Sequence, residues 1–117
     1  MRREVALLGD IVAEADVILA QLEKVSFDDV QADPILSRGI LHSLMIIGEA
    51  ANRMPPEVCA RYSEVPWRDL AGLRHRIVHD YSGIDFELIW GLITTRLATL
   101  RNQIAGILDT DYPSGKY

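Results

Sequence analysis

A single cysteine, Cys59, excludes an internal disulfide, and with no Cys or His partners at ligand spacing it offers no zinc site. Free cysteines are commonly small buried side chains, and Cys59 is expected to be a core residue rather than a nucleophile. Long apolar runs are also missing. The best candidate, residues 40–47, is interrupted by His42 and Ser43 and stops at Gly48-Glu49, well short of the ~20 residues a membrane helix needs. No stretch alternates apolar and polar residues as a strand would, no segment repeats, and no low-complexity linker divides the chain. Met1-Arg2-Arg3-Glu4 leads into Asp10, Glu14 and Asp16 where a secretory segment would have an apolar core, so a cytoplasmic location is expected. Base is short relative to acid. Twelve Lys and Arg against 17 Asp and Glu give a formal charge of −5, which weighs against a general nucleic-acid binder because phosphate affinity comes from cationic side chains.

The distribution of charge changes that inference. Between Glu4 and Asp33 there are eight acids against Lys24 alone, whereas residues 53–76 hold Arg53, Arg61, Arg68, Arg74 and Arg76 against Glu57, Glu64 and Asp69. The basic segment can be a phosphate-steering patch or simply the solvated faces of helices. With 49% hydrophobic and 25% charged residues in 117, the chain has the composition of a folded soluble protein and the size of one domain. That domain is expected to span residues 1–112, with residues 113–117 as a frayed tail.

Helical periodicity dominates. Leu8, Ile11, Val12, Ala15, Ile18, Leu19 and Leu22 form one stripe, which should fade at the short polar side chains of Ser26-Phe27-Asp28-Asp29. Asp33-Pro34 is a helix N-cap followed by proline at the first helical position, opening a second helix that runs to about Met54. Pro55-Pro56 stops it. A short helix fits residues 57–62. Pro66-Trp67 opens another that carries Leu70, Leu73, Ile77 and Val78 inward and ends at Ser82-Gly83. Asp85 caps a last long helix on which Phe86, Ile89, Trp90, Ile93, Leu97, Leu100, Ile104 and Leu108 follow three- and four-residue steps. The fold class is all-α, a bundle of four to five helices. Trp67, Trp90 and Phe86 are expected in the core, and His42 as a hydrogen-bonded core or interface residue.

Chemistry concentrates in Arg74-His75-Arg76-Ile77-Val78-His79-Asp80-Tyr81, at a helix terminus. Arginine keeps its charge at any working pH and its planar fork suits phosphate oxygens, while histidine exchanges a proton near neutrality. Each residue has an ordinary reading as well: Arg74 as a surface ion-pair partner of Asp69 or Asp80, His79 as a cation near helix carbonyls, Tyr81 as core or interface. His75 and His79 at i, i+4 could clamp a metal, but no Glu follows His75 and no third ligand is evident, so neither metal nor other cofactor is expected. Arg74 and His79 lie about 140° apart on an ideal helix. A last turn free to tighten or unwind before Ser82-Gly83 would ease that divergence.

The spacing Arg74, four residues, His79, one residue, Tyr81 resembles the signature of the HEPN superfamily in its HepT-like branch. Ile46-Ile47-Gly48-Glu49-Ala50-Ala51-Asn52-Arg53 is similar to that family's second-helix segment, residues 65–74 to its approach to the motif, and Ile84-Asp85 with Leu88 and Trp90 to its continuation. The similarity covers roughly residues 5–108. His75 is a departure, since many members have Asn or another polar residue there. The resemblance implies a HEPN-type helical homodimer, the ribonuclease toxin of a type VII toxin–antitoxin system, with Arg74 and His79 catalytic and the motif residues of both protomers lining one cleft. It implies no metal, and His75, Arg76, Arg53 and Arg68 would support the site or bind RNA. The implied partner is an MNT-type nucleotidyltransferase antitoxin that transfers AMP from ATP to Tyr81. A non-catalytic HEPN-like module that binds a nucleotide or a partner is the alternative.

Overall fold

Leu8, Ile11, Ala15 and Ile18 share one face of a helix, and enclosing that face organises the molecule. In the computed structural model, which describes residues 3–113, all four are essentially inaccessible to solvent. The helix that carries them, α1 (Arg3–Leu22), packs against α3 (Pro34–Asn52) and α7 (Leu97–Asp111), and α3 in turn carries α5 (Trp67–His79). Long-helix contacts therefore run from α7 through α1 and α3 to α5. Short helices α2 (Phe27–Ala32), α4 (Pro56–Arg61) and α6 (Phe86–Thr95) complete the chain order, and no strand occurs among the described residues. The fold is all-α and bundle-like, as the periodicity predicts. No helix among the described residues is long and apolar enough to cross a membrane.

The helix starts follow the cap residues. The Asp33 carboxylate accepts from the backbone N–H of Ile35 and Leu36, with Pro34 at the first helical position, and Asp85 accepts from Glu87 and Leu88. Two boundaries differ from expectation. Ser26 to Asp29 does not merely end α1: the Ser26 hydroxyl accepts from the Asp29 N–H while the Asp29 carboxylate accepts from the Ser26 N–H, a reciprocal capping box that starts α2. Hydrogen bonding from the Ser26 backbone N–H, and then from its side chain, holds the Asp29 carboxyl below its ordinary pKa. The expected last helix is two helices. The Thr94 hydroxyl donates to the Trp90 carbonyl at 2.7 Å and Thr95 to Gly91 at 2.6 Å, and the chain breaks helical geometry at Arg96 before resuming as α7. Hydroxyls that take carbonyls one turn back bend helices in this way. With α2 and the split, the α-helices among the described residues number seven rather than four or five.

Inside, Trp67 is buried and donates its indole N–H to the Tyr62 carbonyl at 3.0 Å. Phe86 and Trp90 are half-buried around Phe27, with ring centroids 6.4 and 5.8 Å away. Cys59 is only partly buried, and burial pushes its thiol pKa up. Val78 departs from the expected burial, and His42 departs from the core alternative. Val78 is 43% exposed rather than inward, because α5 is in contact mainly with α3 and Ile77 takes the buried position. His42 lies exposed on α3, beside the buried Leu41 and Ser43. At the chain ends the Tyr62 hydroxyl donates to Asp111, and Tyr112 to Glu4 at 3.4 Å. Burial, then that carboxylate, pushes the Tyr62 phenol up. Of the expected frayed tail, Pro113 is an exposed turn residue and residues 114–117 lie outside the described residues.

Candidate active site

The placement of the motif begins at Gly48. A Cβ built there would lie 2.3 Å from the Arg74 Cβ and 2.7 Å from the Leu70 carbonyl oxygen, so α5 rests on bare backbone of α3. Only glycine permits that approach without displacing a helix. The next residue along, Glu49, then lies under the side chain of Arg74. Its Oε2 is 3.0 Å from the Arg74 Nε, and its Oε1 is 3.3 Å from the Nε of Arg53, one turn on at the C-cap of α3. The partner of Arg74 is therefore Glu49, not Asp69 or Asp80. One carboxylate shared between two guanidinium groups leaves a net charge of +1 at the end of the α3–α5 seam.

His79 is the last residue of α5, and the Asp80 N–H closes the final turn on the Arg76 carbonyl at 2.9 Å. The helix thus stays regular through His79 and tightens into a 3₁₀ turn only at Tyr81–Gly83. This corrects the expectation that a loosened last turn would bring Arg74 and His79 together within one chain. The divergence of about 140° stands. His79 instead meets His75, with ring centroids 4.2 Å apart at 48°, and both imidazoles are exposed. Tyr81 opens the 3₁₀ turn and is 40% exposed.

This arrangement lies inside a stretch, residues 8–107, that matches the family model described as Ribonuclease HepT-like. The chain belongs to the ribonuclease HepT-like family. It is 35% identical over 104 residues to "Putative RNase TTE0752" of Caldanaerobacter subterraneus subsp. tengcongensis, covering 89% of this chain and 93% of that one. Likeness extends to "Putative RNase MJ0127" of Methanocaldococcus jannaschii, at 30% identity over 88% of this chain and 85% of that one. To "Probable ribonuclease HepT" of Thermococcus cleftensis the identity is 27%, over 82% and 87%. No solved structure matches at the same stringency.

In this HepT-like chain the basic residues do not form one cluster. Arg53 and Arg74 meet through Glu49, whereas Arg68, His75 and Arg76 line a groove of about 850 Å³ bounded by α3, α5, α6 and α7, together with Leu73, Leu97 and Leu100 among others. The split follows from helical spacing, since residues 74 and 76 point about 160° apart. Among the described residues no three His, Cys, Asp or Glu side chains group as metal ligands. Sequence reasoning missed Glu49 and Gly48 as parts of the site. Both stood in the second-helix segment that carried the resemblance, but nothing in one sequence says which residue 25 positions away an arginine will face.

Proposed function

We propose that this chain is the ribonuclease toxin of a type VII toxin–antitoxin pair, cleaving RNA without a metal by acid–base chemistry at Arg74 and His79. What supports the reading is an exposed imidazole at the end of α5 and, about a turn and a half earlier and pointing about 140° away, a guanidinium paired with Glu49, within a chain of the ribonuclease HepT-like family. An RNA 2′-hydroxyl attacks the adjacent phosphorus while His79 takes its proton, and Arg74 stabilises the charge on the non-bridging oxygens. A second imidazole protonates the leaving 5′-oxygen, giving a 2′,3′-cyclic phosphate. Two protomers related by a twofold axis supply two His79 and two Arg74 to one cleft, which answers the divergence within one helix. His75, Arg76, Arg53 and Arg68 contribute charge to RNA along either side of α5. The decisive assay is cleavage of RNA in excess chelator with identification of the new ends. Cyclic phosphate ends are expected, and loss of cleavage on chelation of the unmutated protein would count against the mechanism.

A homodimer is expected at micromolar concentration. Light scattering that returned the monomer mass of 13.1 kDa would overturn the shared cleft. Tyr81 is the expected acceptor of AMP from an MNT-type nucleotidyltransferase antitoxin. An added phosphodiester would place negative charge near Arg74 and His79 and repel the substrate phosphate. Incubation with the cognate antitoxin and Mg·ATP, followed by its removal, should leave an AMP-sized mass increment and a silent enzyme, with neither in Tyr81→Phe. Unchanged mass with activity restored on separation would instead mean that the antitoxin acts by occluding the cleft.

A further inference from the structure

Arg74 is fixed at two points. Its Cβ sits against Gly48, and its Nε is held 3.0 Å from the Glu49 Oε2. The second Glu49 oxygen is turned to Arg53 at 3.3 Å, so the carboxylate does not straddle the Arg74 fork. A guanidinium offers one N–H at Nε and four at its two terminal nitrogens. Among the described residues no other partner takes the terminal nitrogens of Arg74, so the edge suited to a phosphate is left open. The side chains of Arg74 and Glu49 are 38% and 39% exposed, too open for the ion pair to matter greatly to stability.

We infer that Glu49 is a positioning residue: it holds Arg74 by its Nε edge and thereby aims the two terminal nitrogens at the substrate phosphate. This rests on the ribonuclease reading for its substrate. It makes a claim that charge alone contradicts. Removing Glu49 raises the local charge from +1 to +2, so a purely electrostatic account has Glu49→Gln binding RNA more tightly and cleaving at least as fast. A positioning role has it binding RNA as well or better and cleaving more slowly, because a fork misplaced by about 1 Å loses up to 10²-fold in rate.

The test is steady-state cleavage by Glu49→Gln with the melting temperature as control. The expected result is a fall in kcat on the order of 10- to 100-fold, KM unchanged or lower, and an unchanged melting temperature. In an Arg74→Lys background, where no Nε edge exists to be held, the same Glu49→Gln change should have little further effect on kcat. An unchanged kcat in Glu49→Gln overturns the inference, and so does an equal fall in the lysine background, which would mean that Glu49 acts on the reaction itself. If the unmutated protein cleaves no RNA, the ribonuclease reading has failed and the contact is judged by the Nε–H resonance of Arg74. A resonance set apart from those of the other arginines that reverts in Glu49→Gln supports the fixed orientation, and one indifferent to the change refutes it.

Discussion

Replacing His79 by alanine should lower RNA cleavage in excess chelator by about 10²–10⁴-fold, the usual contribution of a positioned acid–base group. Arg74→Ala should lose on the order of 10²–10³-fold, as when one charge-stabilising donor is removed from a site. Neither variant should unfold. His79 is exposed at the end of α5, and the ion pair of Arg74 with Glu49 is open to solvent on both sides, so its loss costs about 0–1 kcal/mol. Circular dichroism and the melting temperature should therefore be nearly those of the parent while cleavage disappears. RNA binding separates the remaining accounts. His79→Ala that still binds RNA but does not cleave supports catalysis, whereas an unmutated protein that binds and never cleaves would favour the non-catalytic module. Substantial cleavage by either variant would remove that residue from the mechanism.

What was legible in the sequence depended on whether a feature is local. The stripe of α1 and the Asp33-Pro34 start of α3 were readable because caps and periodicity act within a few residues. The break between α6 and α7 was not, because the apolar stripe runs unbroken across it from Ile93 through Leu97 to Leu100, all buried. At the break two threonine hydroxyls bond carbonyls one turn back, a geometry that often bends a helix, but threonine in a sequence does not announce which carbonyl its hydroxyl will take. Ser26 and Asp29 carried the opposite ambiguity, since polar side chains that compete with one helix's backbone are those that cap the next.

The motif was similarly half legible. Its position at a helix terminus and the divergence of Arg74 from His79 follow from about 100° per residue. The ion pair with Glu49 does not, because it depends on how closely α3 and α5 approach, and that distance is set by a residue with no side chain. The resemblance had already drawn in Gly48-Glu49 as part of a longer similar segment without saying what either does. Their role became visible only when the two helices were packed.

Gly48→Ala should destabilise the fold and disable the site together. Two effects oppose each other. Alanine in a helix interior gains about 0.8–1 kcal/mol over glycine from propensity. Against this, the new methyl would lie 2.3 Å from the Arg74 Cβ and 2.7 Å from the Leu70 carbonyl oxygen. Neither is the far end of a flexible side chain, so α5 as a whole has to move off α3, and overpacking of this kind costs typically ~1–3 kcal/mol or more. The clash should win, lowering the melting temperature by roughly 4 °C per kcal/mol of net loss in a chain of this size. Cleavage should fall further than stability, because the displaced helix carries Arg74 away from Glu49 and an error of about 1 Å can cost 10²-fold. Gly39, in the same helix with nothing within 4 Å of its would-be Cβ, supplies the control. Gly39→Ala should be neutral or stabilising and leave cleavage intact. If Gly48→Ala melts and cleaves like Gly39→Ala, the close contact of α3 with α5 is not what places the motif.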